Sequence, residues 1–232
     1  MQSNKKITDK RRFSVVMKIT AIVIVMAILI GSTAIYAGYY LHSTTMNQYY
    51  KNQVVNISKT LSKYIPADYI EQLKEVASDP ELETVREEAI ASDNPDLVKD
   101  WMIQKGVYDD YEKVLSILED FRNNMGMTYV YVLNNQANYS TYLADPDEDM
   151  TIFGKREDNT AGFEQYTSNE EIPPTVSEGE YGWLCSGYEP IYSEDGKAIA
   201  LIGVDISMNE VVGQQMDFLK QMLTWLIILT LL

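Results

Sequence analysis

The sequence has very few of the side chains on which most metal and nucleophilic sites depend. Cys185 is its only cysteine and His42 its only histidine. A single cysteine excludes an intrachain disulfide framework, and a single histidine argues against Ser-His-Asp, Cys-His and His-ligated metal sites. An acidic run at 145–149 resembles the start of a calcium loop but lacks its glycine and its final glutamate. We therefore predict that this region is not an enzyme and holds no cofactor and no metal.

Basic residues are also scarce in the middle of the chain. Residues 42–219 contain 12 Lys and Arg against 33 Asp and Glu, a net charge of about −21. Such a surface repels nucleic acids and anionic lipids. It is compatible with a cationic or zwitterionic small molecule, so we expect a ligand of that kind and no nucleic-acid partner.

A long uncharged segment lies near the start of the chain. Residues 19–41 carry no charged side chain, and 23 helical residues span about 35 Å, enough to cross a bilayer core of about 30 Å. Six of the seven charged residues in the preceding tail, 1–18, are basic, which predicts a cytoplasmic N-terminus and a membrane location. The alternative is a cleaved signal peptide, although its apolar core would be long.

A second apolar segment ends the sequence. Residues 221–232 are uncharged and mostly apolar, about half the length that crosses a bilayer. The predicted organisation is a cytoplasmic tail at 1–18, a first transmembrane helix at 19–41, an extracytoplasmic domain at 42–218 and a truncated second transmembrane helix at 219–232. An output domain is expected after Leu232, and that domain could be enzymatic.

The first half of the extracytoplasmic region has helical periodicity. Apolar side chains recur every three or four residues between His42 and Tyr64, at Tyr50, Val54, Ile57, Leu61 and Tyr64. This stripe is typical of a helix that pairs with a second copy in a parallel homodimer, or of one that covers its own domain's sheet. Prolines at 66, 80 and 95 predict the starts of further helices, and another helix is expected between Gly106 and Gly126.

The second half has strand periodicity. Strands are predicted at 128–133, 139–143, 181–192 and 197–206, while the acidic residues 145–180 are expected to form a long loop with short helical pieces. The residues from Ser207 to Glu210 fit a capping box that starts the last helix.

Aromatic side chains are concentrated on the predicted strands. Tyrosine and tryptophan offer apolar walls with a polar group, which suits a small-molecule pocket, although aromatics on a sheet are more often plain core. Asp205 follows an apolar run, so it either faces inward and needs a partner such as a ligand ammonium, or caps the following helix. The predicted ligand-binding residues are Tyr131, Tyr142, Trp183, Ser186, Tyr188 and Asp205.

The order of these elements, with the stretches YGWLCSGYEPIY at 181–192 and GKAIALIGVDISM at 196–208, resembles the Cache family. These extracytoplasmic sensor domains have a PAS-like sheet and occur in bacterial chemoreceptors, histidine kinases, nucleotide cyclases and phosphatases; the single-Cache type is the most similar. The resemblance covers about residues 42–218. It implies an α+β fold with a long N-terminal helix on an antiparallel sheet, a pocket under the long loop, dimerisation along the N-terminal helix, and a ligand-binding role for Asp205.

Two functions from different classes agree with these features. The first is the small-molecule-sensing region of a bacterial transmembrane receptor. The second is a membrane-anchored structural or protein-interaction module, in which the apolar stripe and the aromatic residues serve protein contacts.

Overall fold

The computed structural model describes residues 2–159, 163 and 165–231, with side chains from Val15 to Thr230. It divides into two units, Asn47–Asn209 and the pair of segments Met1–Met46 and Glu210–Leu232. Met1, the first residue of the predicted tail, and Leu232, the last residue of the predicted second span, lie outside the described residues.

The first helix, α1, runs from Gln2 to Leu61 without a break, as the absence of proline before residue 66 predicts. Most of its apolar segment is exposed, with Ile35 buried and Gly31 and Tyr39 half-buried. Among the described residues, it is the one helix that is long and apolar enough to cross a membrane.

Four shorter helices follow, and their ends agree with the proline and glycine signals. They are α2 (Ala67–Val76), α3 (Pro80–Ser92), α4 (Asp96–Lys105) and α5 (Tyr108–Met125). Asp79 caps α3 by accepting a hydrogen bond from the backbone N–H of Glu81 at 2.9 Å. Gly106 and Gly126 end α4 and α5 in the left-handed conformation that glycine adopts at low cost.

The remaining elements form one antiparallel sheet and the last helix. The strands are β1 (Tyr129–Asn135), β2 (Tyr139–Ala144), β3 (Arg156–Asp158), β4 (Ile172–Gly179), β5 (Gly182–Tyr192) and β6 (Ala198–Ser207), in the spatial order β3-β2-β1-β6-β5-β4. A short 3₁₀ turn at Met150–Ile152 lies between β2 and β3, and α6 runs from Asn209 to Leu231. The predicted α+β fold, a long N-terminal helix with an antiparallel sheet, is confirmed.

The apolar stripe of α1 contributes to the core of the domain. Val54 and Leu61 are fully buried. Val54 lies so close to β5 that a side chain at Gly187 would come within 2.8 Å of it. At Val54 the stripe therefore covers its own sheet, which was one of the two alternatives.

Strand β4 lies inside the segment that was predicted to be a loop. It pairs only with β5, and its sequence contains Pro173 and Pro174. Proline cannot donate a backbone hydrogen bond, so within sheets it is tolerated on edge strands. Because proline is otherwise rare in strands, its presence here argued against a strand in the sequence. Residues 160–162 and 164 of the same segment lie outside the described residues.

The predicted capping box is wrong. The backbone N–H of Ser207 donates to the Thr128 hydroxyl at 2.7 Å, not to Glu210. Glu210 instead accepts from Gln214 within α6. A tertiary contact between β6 and the start of β1 therefore replaces the local one.

Candidate functional site

A cavity of about 350 Å³ lies on the face of the sheet where β1, β6 and β5 are adjacent. Its volume is at the small end of the range for small-molecule sites. Aromatic, acidic and small polar side chains line it: Tyr129, Tyr131, Tyr142, Asp145, Asp147, Glu148, Ile152, Lys155, Glu157, Glu180, Tyr181, Leu184, Ser186, Tyr188 and Asp205.

The strand register brings the floor of the cavity together. Asp205 of β6 pairs with Tyr129 of β1 on one side and with Ser186 of β5 on the other. Two residues away, on the same face, Gly203 pairs with Tyr131 and Tyr188. The period of two along each strand therefore presents the polar and aromatic side chains of three strands to one space.

Gly203 lets the aromatic ring of Tyr131 lie over the centre of the sheet. A Cβ atom at residue 203 would lie 2.1 Å from a ring carbon of Tyr131, far inside contact distance. The missing side chain therefore creates room for the ring, which reaches across β6 toward β5.

Three polar groups meet at the end of that ring. The Tyr131 hydroxyl donates to Oδ2 of Asp205 at 3.1 Å, and the hydroxyl oxygens of Tyr131 and Tyr188 are 3.3 Å apart. Burial raises the pKa of both tyrosines above the ordinary value, so they remain neutral hydrogen-bonding groups at physiological pH.

Asp205 is the unusual member of this cluster. It is 5% exposed, and its second oxygen, Oδ1, has no hydrogen-bond partner among the described residues. Burial raises the pKa of Asp205 to about 6, although the Ser186 and Tyr131 hydroxyls act in the opposite direction. At pH 7 the cavity floor therefore holds a mostly ionised carboxylate with one unsatisfied oxygen, which is costly unless a ligand supplies a partner.

The rest of the cavity is strongly acidic. Five further carboxylates line it, from Asp145, Asp147, Glu148, Glu157 and Glu180. Asp145 is also buried, and desolvation followed by the charge of Glu148 raises its pKa to about 6, against the effect of Arg122 and Lys155.

Among the described residues, Lys155 is the single basic side chain in the lining, and it already has an acidic partner. Its Nζ lies 2.6 Å from Oε1 of Glu157 and 5.8 Å from the centre of the Tyr142 ring. Glu157 in turn accepts a hydrogen bond from the Tyr142 hydroxyl at 3.1 Å. These contacts place the lysine beside Glu157 and Tyr142 at one wall of the cavity.

The structure brings five of the six predicted site residues together around this cavity. They are Tyr131, Tyr142, Ser186, Tyr188 and Asp205. Trp183 does not line it. On β5, Leu184, Ser186 and Tyr188 face the cavity, so the odd-numbered Trp183 points to the opposite face of the sheet. The alternative role for Asp205, capping the last helix, is wrong because its side chain lies in the cavity floor.

Sequence reasoning missed the acidic rim of the cavity. Its members come from the segment that follows β2, from β3 and from the turn between β4 and β5. The available signal was the acidity of residues 145–180, a long segment of the kind that often carries function.

Two larger surface clefts, of about 620 and 590 Å³, lie elsewhere on the domain. The first contains buried Arg86, whose guanidinium is satisfied by the Thr151 carbonyl and the Glu83 carboxylate. Neither cleft contains a buried, unsatisfied polar atom among the described residues. The smaller cavity over the sheet is therefore the candidate ligand site.

No family model and no curated protein matches the chain. Among solved structures, the chain is similar to the sensor domain of DcuS from E. coli, with 15% identity, coverage of 68% of this chain and 98% of that one, and a TM-score of 0.35. It is also similar to the ligand-binding domain of the Campylobacter jejuni chemoreceptor Tlp3 in complex with L-valine, with 15% identity, coverage of 77% and 66%, and a TM-score of 0.29. The same domain with isoleucine bound gives 14% identity, the same coverage and a TM-score of 0.27. The first of these is named as a sensor domain, and the other two as the ligand-binding or sensory domain of a chemoreceptor.

Proposed function

We propose that residues 42–218 form the extracytoplasmic sensor of a bacterial transmembrane receptor, and that they bind a small solute with at least one ammonium group. The observation that carries the proposal is Oδ1 of Asp205, a buried carboxylate oxygen that has no hydrogen-bond partner among the described residues and belongs to a side chain of the cavity lining. An ammonium group is the complement of such an oxygen, because it provides both the missing donor and the opposite charge.

Tyrosine rings give the site a second means of holding a cation. Tyr131 and Tyr188 line the cavity beside Asp205, and the faces of aromatic rings attract cations. The bound ammonium would exchange its water shell for one carboxylate oxygen and two aromatic walls. A neutral or anionic solute gains nothing equivalent from these groups.

The test removes the charge of Asp205 and keeps its shape. Asp205→Asn should weaken binding of an amine ligand by about ten- to a hundredfold, since a charge-assisted hydrogen bond contributes roughly 1.5–3 kcal/mol. Isothermal titration calorimetry on the full chain in a nonionic detergent measures this effect. Trp183→Phe is the matched control, because this side chain faces away from the cavity and its replacement should leave affinity unchanged.

Equal affinity in the Asp205→Asn variant and the parent would refute the assignment of Asp205. Loss of binding in the Trp183→Phe variant would refute the choice of face. A chain that binds no amine at all would instead support the protein-interaction module.

Signal transmission in this proposal follows the chain. Asp205 lies two residues before the end of β6, and α6 begins two residues after that end, at Asn209. Asn209 is tied to β5, because its side-chain oxygen accepts from the backbone N–H of Trp183 at 2.8 Å. A shift of β6 on ligand binding would therefore reach the start of α6, and through it the second predicted span.

The proposal includes a parallel homodimer along α1. Because Val54 and Leu61 are buried in the domain, the partner helix would contact the exposed side, which carries Asn52, Asn56 and Lys59. Single cysteines at these three positions should form disulfides between copies, while cysteines at 54 and 61 should not. Crosslinking at 54 or 61, or at none of the five, would contradict this arrangement.

A further inference from the structure

We infer that the ligand is a linear diamine without a carboxylate, one ammonium group binding at Asp205 and the other at the acidic rim. This inference rests on the proposed function, because it assigns the chemical class of the solute held in the same cavity. It follows from three observations: the buried oxygen without a partner, the charges of the lining, and the position of Asp145.

The charges of the lining disfavour the binding of a ligand carboxylate. Among the described residues, six carboxylates and one ammonium group line the cavity. That ammonium, on Lys155, already contacts Glu157 at 2.6 Å. The neighbouring Arg122 is also engaged, in ion pairs with Glu119 and Asp147. An amino acid's carboxylate would enter a negative field without a free cation to meet it, and like charges in such a site are repelled.

The acidic residues of the cavity lining come from separate parts of the sequence. Asp205 lies near the end of β6, whereas Asp145 follows the end of β2. Asp145 is buried like Asp205, and the backbone N–H of Asp147 donates to one of its oxygens at 2.9 Å. The cavity therefore offers two buried carboxylates, one on strand β6 and one in the segment after β2, and each can accept one ammonium group of a diamine.

The walls of the cavity suit the methylene chain of a diamine. Tyr129, Tyr131, Tyr181 and Tyr188 line it together with Leu184. Aromatic rings and an aliphatic side chain pack against CH₂ groups, while the tyrosine hydroxyl groups remain near charged groups.

Three compounds that differ by one group each provide the test. They are 1,5-diaminopentane, lysine, which is the same diamine with an added carboxylate, and pentylamine, which lacks the second ammonium. Calorimetric titration uses the full chain in nonionic detergent at pH 7 and fixed ionic strength. The diamine is expected to bind at least tenfold more tightly than either of the other compounds. Lysine or pentylamine binding as tightly as the diamine would overturn the inference.

Two variants locate the second ammonium. Asp145→Asn keeps an oxygen for the Asp147 N–H but removes the charge, so it should weaken diamine binding at least fivefold and leave pentylamine within twofold. Asp149→Asn is the matched control, since Asp149 accepts from the Thr151 N–H at 2.8 Å in a similar turn but does not line the cavity. Equal effects of the two variants, or no effect of Asp145→Asn, would overturn the two-site arrangement.

Failure of this inference can be distinguished from failure of the proposed function. If lysine binds as tightly as the diamine and Asp205→Asn weakens both, the sensor proposal stands and the diamine assignment is wrong. If none of the three compounds binds with a dissociation constant below about 1 mM, both are wrong. Magnesium chloride measures non-specific attraction to the acidic surface, and an equal response to Mg²⁺ would also overturn the diamine assignment.

Discussion

Replacement of Asp205 by asparagine should stabilise the ligand-free protein at neutral pH. Burial raises the pKa of Asp205 from its ordinary value of 3.8 to about 6. Keeping this carboxyl group ionised at pH 7 therefore costs the folded state the free energy that corresponds to a pKa difference of about 2. At about 1.4 kcal/mol for each unit, this cost is roughly 3 kcal/mol. The asparagine keeps an acceptor for Tyr131 but adds an N–H₂ group, and an unsatisfied donor takes back about 1–3 kcal/mol.

The expected net gain is about 0–2 kcal/mol, or a rise of up to roughly 8 °C in melting temperature. The sign of its pH dependence follows from the raised pKa. In the parent, protonated Asp205 contributes fully to the stability of the folded state below about pH 4, and this contribution is lost as the pH rises through about 6. The difference between variant and parent should therefore be smallest at pH 4 and largest at pH 7.

Thermal unfolding of the full chain in nonionic detergent, followed between pH 4 and 7, measures this difference. Asp195→Asn in the exposed turn between β5 and β6 is the matched control and should leave the melting temperature unchanged within about 1 °C. An Asp205→Asn variant that is less stable than the parent at pH 7, or a difference that does not vary with pH, would refute the assignment of a costly buried charge. A gain in stability together with a loss of ligand affinity is typical of residues kept for function.

Two further predictions concern topology and the cavity floor. In a background without the native cysteine, a membrane-impermeant thiol reagent should label an Asp158→Cys variant in intact cells but not a Ser3→Cys variant; labelling of the second would reverse the predicted orientation. Gly203→Ala should destabilise the domain by about 1–3 kcal/mol in chemical denaturation and abolish amine binding, because the added methyl group displaces the Tyr131 ring that lies over it. Gly179→Ala is the control and should do neither, because nothing lies within 4 Å of its added methyl group.

Much of the architecture follows from local features of the sequence. The 23 uncharged residues at 19–41 predict a long apolar helix, and α1 contains them. Strong alternation and a glycine turn predict β5 and β6, because these signals depend only on neighbouring residues. The same period of two would have excluded Trp183 from the site, since it differs in parity from Ser186 and Tyr188.

Other features depend on pairing between distant segments. Edge strand β4 carries two prolines, and only its hydrogen bonds to β5 reveal it as a strand. The same holds for the start of α6, where a contact from Thr128 replaces the predicted capping box. Local propensity is a weak guide at such positions because the competing interaction comes from elsewhere in the fold.

The sequence by itself determined the acidity of the domain and the aromatic character of its strands. Only the tertiary structure decided that β6 lies between β1 and β5, which puts Asp205 beside Tyr131 and Ser186 and leaves one of its oxygens without a partner among the described residues. It also decided that Asp145, 60 positions earlier, lines the same cavity. Burial and the convergence of charges depend on strand order and register, and these follow from interactions summed over the whole sheet.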